Sequence, residues 1–261
     1  MILDRFRVEG SVAVVTGGGR GIGEGCALAL AEAGADVVVA ARTPGQIEPV
    51  AERIRDLGRR SLAVPCDVLR RDDLERLVET TVRELGRIDV LINNAGGSPP
   101  KAALRTSEAM FEQALRFNVT QAFLLTRLAV PRMLETGGGV VLNISSAAGR
   151  LVQAGFVAYG TAKAALSFMT RNLAAEFAPR VRVNAIAVGS VETSALTPFL
   201  TDDLRGAMEA LTPMGRLGQV EDIAACALYL VSPAASWVTG KVFEVDGGTE
   251  TTNWPLDPPS L

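Results

Sequence analysis

Seven short, mostly apolar runs recur along the chain, at residues 12–15, 37–40, 61–65, 89–92, 140–144, 181–187 and 242–245. Most are rich in Val and Ile, and few show the polar alternation of a strand with one wet face. Between them lie stretches with helical character, at 21–33, 46–57, 72–85, 106–135, 157–177 and 220–230. Pro49 falls inside the second of these and is tolerated only near its start, while Gly86 ends the third. Strands buried on both faces and joined by helices predict an α/β chain with a seven-stranded parallel sheet and helices on both faces. Right-handed crossovers then make it doubly wound. No linker or repeat interrupts the pattern, so residues 1–261 read as a single domain. Two segments stand apart from it: an irregular stretch at 189–218 and a Pro-rich tail at 249–261.

Composition removes several chemistries. The chain has no histidine, which excludes Ser-His-Asp and Cys-His catalysis and His-ligated zinc or haem. No metal site is expected. A net charge of −3 argues against a general nucleic-acid binder. Cys26, Cys66 and Cys226 are odd in number and widely spaced, the pattern of free thiols in a reducing compartment. No uncharged apolar run reaches about 18 residues, and the first residues lack a signal-peptide core, so a cytoplasmic protein without a membrane span is expected.

The first strand runs into Thr16-Gly17-Gly18-Gly19-Arg20-Gly21-Ile22-Gly23. Glycines here allow a sharp turn, close approach of a pyrophosphate and tight packing of the next helix. That helix offers free N–H groups and a positive dipole end to an anion. In a strand-turn-helix context the turn points to dinucleotide binding, with Gly17, Gly19, Arg20, Gly21, Ile22 and Gly23 as candidate contacts. The end of the second strand usually carries an acidic residue in NAD binders. Here Ala40, Ala41 and Arg42 stand there. Arg20 and Arg42 together can clamp a 2′-phosphate, which favours NADP and leaves NAD possible. Both arginines also fit a plain solvated surface.

Tyr159 and Lys163 lie four residues apart, on one face of a helix. Phenols are weak acids with a pKa near 10. An ammonium about 4 Å away is worth roughly 4 kcal/mol at an effective dielectric near 20, or about 3 pK units. Tyr159 then becomes usable as an acid or base near neutral pH. Ser146, just past the fifth strand, is available to hold a substrate oxygen beside the phenol.

The run 16–23, Asn93-Asn94-Ala95-Gly96, Asn118, Ser146, Tyr159 with Lys163, and Val245-Asp246-Gly247-Gly248 occur in one order and spacing. On these motifs the chain resembles the short-chain dehydrogenase/reductase family over residues 12–248, in particular hydroxysteroid dehydrogenases and 3-oxoacyl-[acyl-carrier-protein] reductases. The resemblance implies a Rossmann-type fold and hydride transfer between nicotinamide and a secondary alcohol or ketone. It implies that Tyr159 exchanges the proton and Ser146 orients the oxygen. Lys163 would hold the ribose and depress the pKa of Tyr159, and Asn118 would position a water. It also implies cofactor contacts from Asp67, Val68, Asn94, Ala95, Gly96, Val191 and Thr193, and a homotetramer. Taken alone, Asn118 also reads as a helix-interior amide and Asp67 as a turn former. One departure stands out: the family's Pro-Gly after the sixth strand is Val188-Gly189 here, which implies a looser turn.

Substrate contacts are expected from the stretch after Gly189, including Leu196, and from Gln153 and Phe156. This is a mostly apolar surface suited to a bulky flat molecule, though it also fits a lid packed on its own protein. A hydroxysteroid dehydrogenase-like activity on an apolar small molecule is the first reading. The alternative is a 3-oxoacyl carrier-protein reductase, which needs a basic patch near the pocket; Arg132 and Arg180 are its candidates, interrupted by Glu135. A non-catalytic NADP-binding protein on the same fold is a third reading. The tail is either passive or reaches a neighbouring subunit's pocket.

Overall fold

The computed structural model describes residues 1–194, 196–197 and 200–255. Seven strands, β1 (Val12–Thr16), β2 (Asp36–Ala41), β3 (Ser61–Pro65), β4 (Val90–Asn93), β5 (Gly139–Ser146), β6 (Val181–Val188) and β7 (Val242–Val245), form one sheet. Their order is β3-β2-β1-β4-β5-β6-β7, and every pairing is parallel. The direction of winding reverses between β1 and β4, which opens a crevice at the carboxyl ends of those strands.

Eight helices connect and cover the sheet among the described residues: α1 (Gly21–Glu32), α2 (Pro44–Asp56), α3 (Arg71–Leu85), α4 (Glu108–Leu115), α5 (Gln121–Glu135), α6 (Val157–Phe177), α7 (Asp202–Ala210) and α8 (Val220–Val231). The strands lack polar alternation because successive residues feed two cores. Ala13, Val15, Val37 and Val39 pack with Leu30, Ile54 and Leu230 of α1, α2 and α8. Val12, Val14, Val38 and Ala40 pack on the other face with Leu77, Leu125 and Leu173 of α3, α5 and α6.

Several boundaries differ from expectation. Helix α2 starts at Pro44, whose missing N–H costs nothing in the first position, and it carries Pro49 beyond its first turn. Strand β5 extends through Ser146, paired with Val188, so Ser146 ends the strand instead of following it. The region 106–135 is two helices joined by a π turn at Arg116–Thr120. The stretch 189–218 is not irregular throughout, because Thr201 caps α7 by accepting from the Leu204 N–H. Nor is the turn after β6 loose: the Gly189 N–H donates to Val245 O at 3.0 Å. Ala195, Pro198 and Phe199 of the expected substrate loop, and tail residues 256–261, lie outside the described residues.

Candidate active site

One cavity of about 570 Å³ occupies the crevice and runs from the glycine turn to the carboxyl end of β5. At its first end, Gly17 and Gly21 adopt positive φ, +64° and +55°. A Cβ on Gly23 would lie 2.3 Å from Gly17 O, so α1 closes on the turn only with glycine there. Gly23 is thus a packing residue beneath the turn, not part of the cavity wall. Gly17, Gly19, Arg20, Gly21 and Ile22 do line the wall, as do Arg42 and Val68. The start of α1 has no side-chain cap, leaving its first N–H groups facing the cavity end. Arg20 and Arg42 are exposed and form no ion pair among the described residues.

Asn94 lines the cavity, yet its side chain is spent on the protein: Nδ2 donates to Thr16 O at 2.9 Å and Gly17 O at 3.1 Å. It staples the end of β4 to the glycine turn. Ala95 and Gly96 continue the wall. Asp67 is not among the lining residues; its Oδ1 accepts from the Leu69 N–H at 3.0 Å, making it a turn former, and Cys66 lines the wall beside Val68.

At the other end, Ser146, Tyr159 and Lys163 converge. Two glycines bring them together. A Cβ on Gly149 would lie 2.8 Å from Lys163 C, and one on Gly160 would lie 2.7 Å from Ala148 O. Helix α6 therefore presses backbone against the turn that follows Ser146. Ser145 fastens the same contact, its hydroxyl donating to Lys163 O at 3.0 Å.

Lys163 is only 4% exposed, and its Nζ donates to Ile144 O at 2.8 Å. Gly96 gives it room, since a Cβ there would stand 3.2 Å from Nζ and 2.8 Å from Asn118 Oδ1. Burial pushes the Lys163 pKa down to about 8. The Tyr159 phenol does not show the expected depression. Burial raises its pKa, and the Ser146 hydroxyl opposes the rise. The ammonium sits 5.7 Å from the ring centroid and donates to Ile144 O, so it is spent on the backbone and burial governs the phenol. Asn118 is buried in the π turn and lies off the cavity wall. Its Nδ2 donates to Ala114 O and Gly97 O, and its Oδ1 accepts from the Gly97 N–H.

Gln153, Phe156, Val191, Thr193 and Leu196 all line the cavity, as expected. So do residues that carried no local sequence signal: Leu151, Thr249, Thr252, Asn253 and Trp254. The tail thus folds onto its own chain's cavity as far as Trp254. Its anchor, Asn253, pairs with Thr212 and Ser190, partners too distant in sequence to be read from spacing.

Fold and cleft together are those of a nucleotide-dependent oxidoreductase. The family model described as Enoyl-(Acyl carrier protein) reductase matches residues 17–250. An uncharacterized oxidoreductase of Mycobacterium tuberculosis (strain CDC 1551 / Oshkosh) is 52% identical over 263 residues, covering 100% of both chains. The 7alpha-hydroxysteroid dehydrogenase of Escherichia coli (strain K12) is 40% identical, over 94% of this chain and 96% of that one. A solved 7 alpha-hydroxysteroid dehydrogenase complexed with NADH and 7-oxo glycochenodeoxycholic acid superposes with a TM-score of 0.92 at 40% identity, covering 95% and 97%. This chain belongs to the short-chain dehydrogenase/reductase family. None of its described helices is long and apolar enough to cross a membrane, and no group of potential metal ligands occurs among the described residues.

Proposed function

We propose that the chain interconverts a ketone and a secondary alcohol of an apolar substrate, with Tyr159 as the proton-exchanging group. The observation that carries this reading is a single cavity shared by the glycine turn and by Ser146, Tyr159 and Lys163. A bound nicotinamide cofactor would supply or accept the hydride. The uncapped start of α1 and the glycines before it would hold its pyrophosphate. The 4% exposed Lys163, with Gly96 leaving room beside its Nζ, would hold the ribose.

In the reducing direction Tyr159 gives its proton to the carbonyl oxygen, and burial keeps the phenol protonated until then. Ser146 holds the same oxygen, because its hydroxyl stands at the phenol and is itself fixed by accepting from the Ala148 N–H at 3.2 Å. With its own amide saturated, Asn118 acts by shaping the π turn beside Gly97. NADP(H) is our preferred cofactor: Arg20 and Arg42 flank the cavity end where Ala41 takes the place of an acid.

The carrier-protein alternative lacks its basic patch. Arg132 pairs with Glu135, and Arg180 donates to Leu134 O, both near the start of β5. The cleft lies at that strand's other end, about 25 Å away for eight residues. A homotetramer remains our reading of the assembly, supported by the exposed Met110, Phe123 and Phe168 on α4, α5 and α6. A screen of NADPH and NADH oxidation over steroid ketones, acetoacetyl thioesters and small quinones tests the function. Turnover of ring ketones is expected, and turnover of thioesters alone would overturn the assignment.

A further inference from the structure

We propose that the segment Thr249–Trp254, latched by Asn253, is the specificity wall of the substrate half of the cleft and selects an uncharged, ring-bearing ketone or secondary alcohol. The proposal rests on the oxidoreductase reading of the same cavity. Asn253 is 8% exposed and has both ends of its amide engaged. Nδ2 donates to Thr212 Oγ1 at 2.8 Å, and Oδ1 accepts from Ser190 Oγ at 2.8 Å. One side chain thus joins the turn after β6, the end of α7 and the tail. Removing it would break both bonds at once and leave a gap where the buried Asn253 side chain stood, so the latch favours one geometry.

The next residue, Trp254, meets Phe156 edge-on at 6.2 Å between centroids, and Phe156 meets Tyr159 edge-on at 6.0 Å. Aromatic surface therefore extends from the proton-exchanging phenol out to the tail, joined by Leu151 and Leu196. Flat apolar rings match such a wall. Apart from Lys163, no charged side chain lines this half among the described residues; Gln153, Ser190, Thr249 and Thr252 supply neutral polar groups. Just outside, Arg150 is met by Glu244 at 3.1 Å, Asp246 at 3.3 Å and Glu250 at 2.9 Å. Three carboxylates around one guanidinium leave excess negative charge at the rim, which disfavours an anionic substrate.

The test uses the full chain with 2-decalone, 2-butanone, cyclohexanone and 4-oxocyclohexanecarboxylate. Trp254→Ala and Asn253→Ala should each lower the ratio of kcat/KM for 2-decalone over 2-butanone by about tenfold, and Trp254→Phe should restore most of it. An unchanged ratio in both alanine variants would overturn the wall. The parent should prefer cyclohexanone to its carboxylate, and the opposite preference would overturn the selection against charge. A readout without turnover separates this proposal from the activity it rests on. The chain has two tryptophans, and Trp237 is 98% exposed, so Trp237→Phe leaves Trp254 as the sole reporter. Its emission should shift as 2-decalone is titrated with NADP+ present. A shift without turnover supports the wall while rejecting the oxidoreductase reading; turnover without a shift overturns the wall.

Discussion

Gly160→Ala sets helix propensity against site geometry. Gly160 lies inside α6, where alanine favours the helix by about 1 kcal/mol. Its new Cβ, however, would sit 2.7 Å from Ala148 O, against 3.4 Å for ordinary contact, so the two backbones must part by 0.7 Å. The displaced atoms are neighbours of the reacting pair: Tyr159 precedes Gly160, and the Ala148 N–H donates to Ser146 Oγ. Misplacing reacting groups by about 1 Å costs roughly 100-fold, so kcat should fall on the order of 10- to 100-fold. Dinucleotide affinity, followed by NADPH fluorescence, should change little because the glycine turn is remote from the clash. Gly206→Ala is the control. It sits in α7 with nothing within 4 Å of the added methyl, and it should raise Tm while sparing kcat. Unchanged kcat in Gly160→Ala, with a raised Tm, would refute the claim that this contact sets the Ser146–Tyr159 geometry.

Tyr159→Phe should lower kcat by about 10² to 10⁴ while leaving NADPH affinity nearly intact; wild-type turnover would remove Tyr159 as the acid. Arg42→Asp should raise KM for NADPH far more than for NADH, and equal effects in steady-state kinetics would dismiss the 2′-phosphate contact. Asp222 supplies a pH test of the cap of α8. Its bonds from Arg216 and then from the Gln219 N–H hold its pKa at about 2 against an ordinary 3.8. The unfolded chain binds that proton more strongly, so this stabilisation is full above about pH 4 and disappears as the pH falls toward 2. Asp222→Asn should flatten the acid limb of stability measured by urea unfolding in that window, and an unaltered limb would refute the coupling.

The strands were legible because a sheet covered on both sides writes itself as apolar runs, and each expected strand falls within a residue or two of its place. Tyr159, Lys163 and Ser146 were legible through helical spacing and motif order. Two further local signals lie outside those motifs. Thr201 followed by Asp202 and Asp203 marks a helix start, and Gly160 inside an otherwise strong helix marks a close approach. What spacing cannot supply is the direction in which a buried group points. Lys163 lies one turn from Tyr159, as the sequence requires, but the Ile144 carbonyl is its partner, and desolvation then governs the phenol. The same holds for Asn94, Asn118 and Asp67, whose polar atoms answer to neighbouring backbone first. The tail is the extreme case: Asn253 finds Thr212 and Ser190 only after the sheet and α7 are assembled. In this chain the reacting groups are written locally, while what surrounds the substrate is a product of tertiary packing.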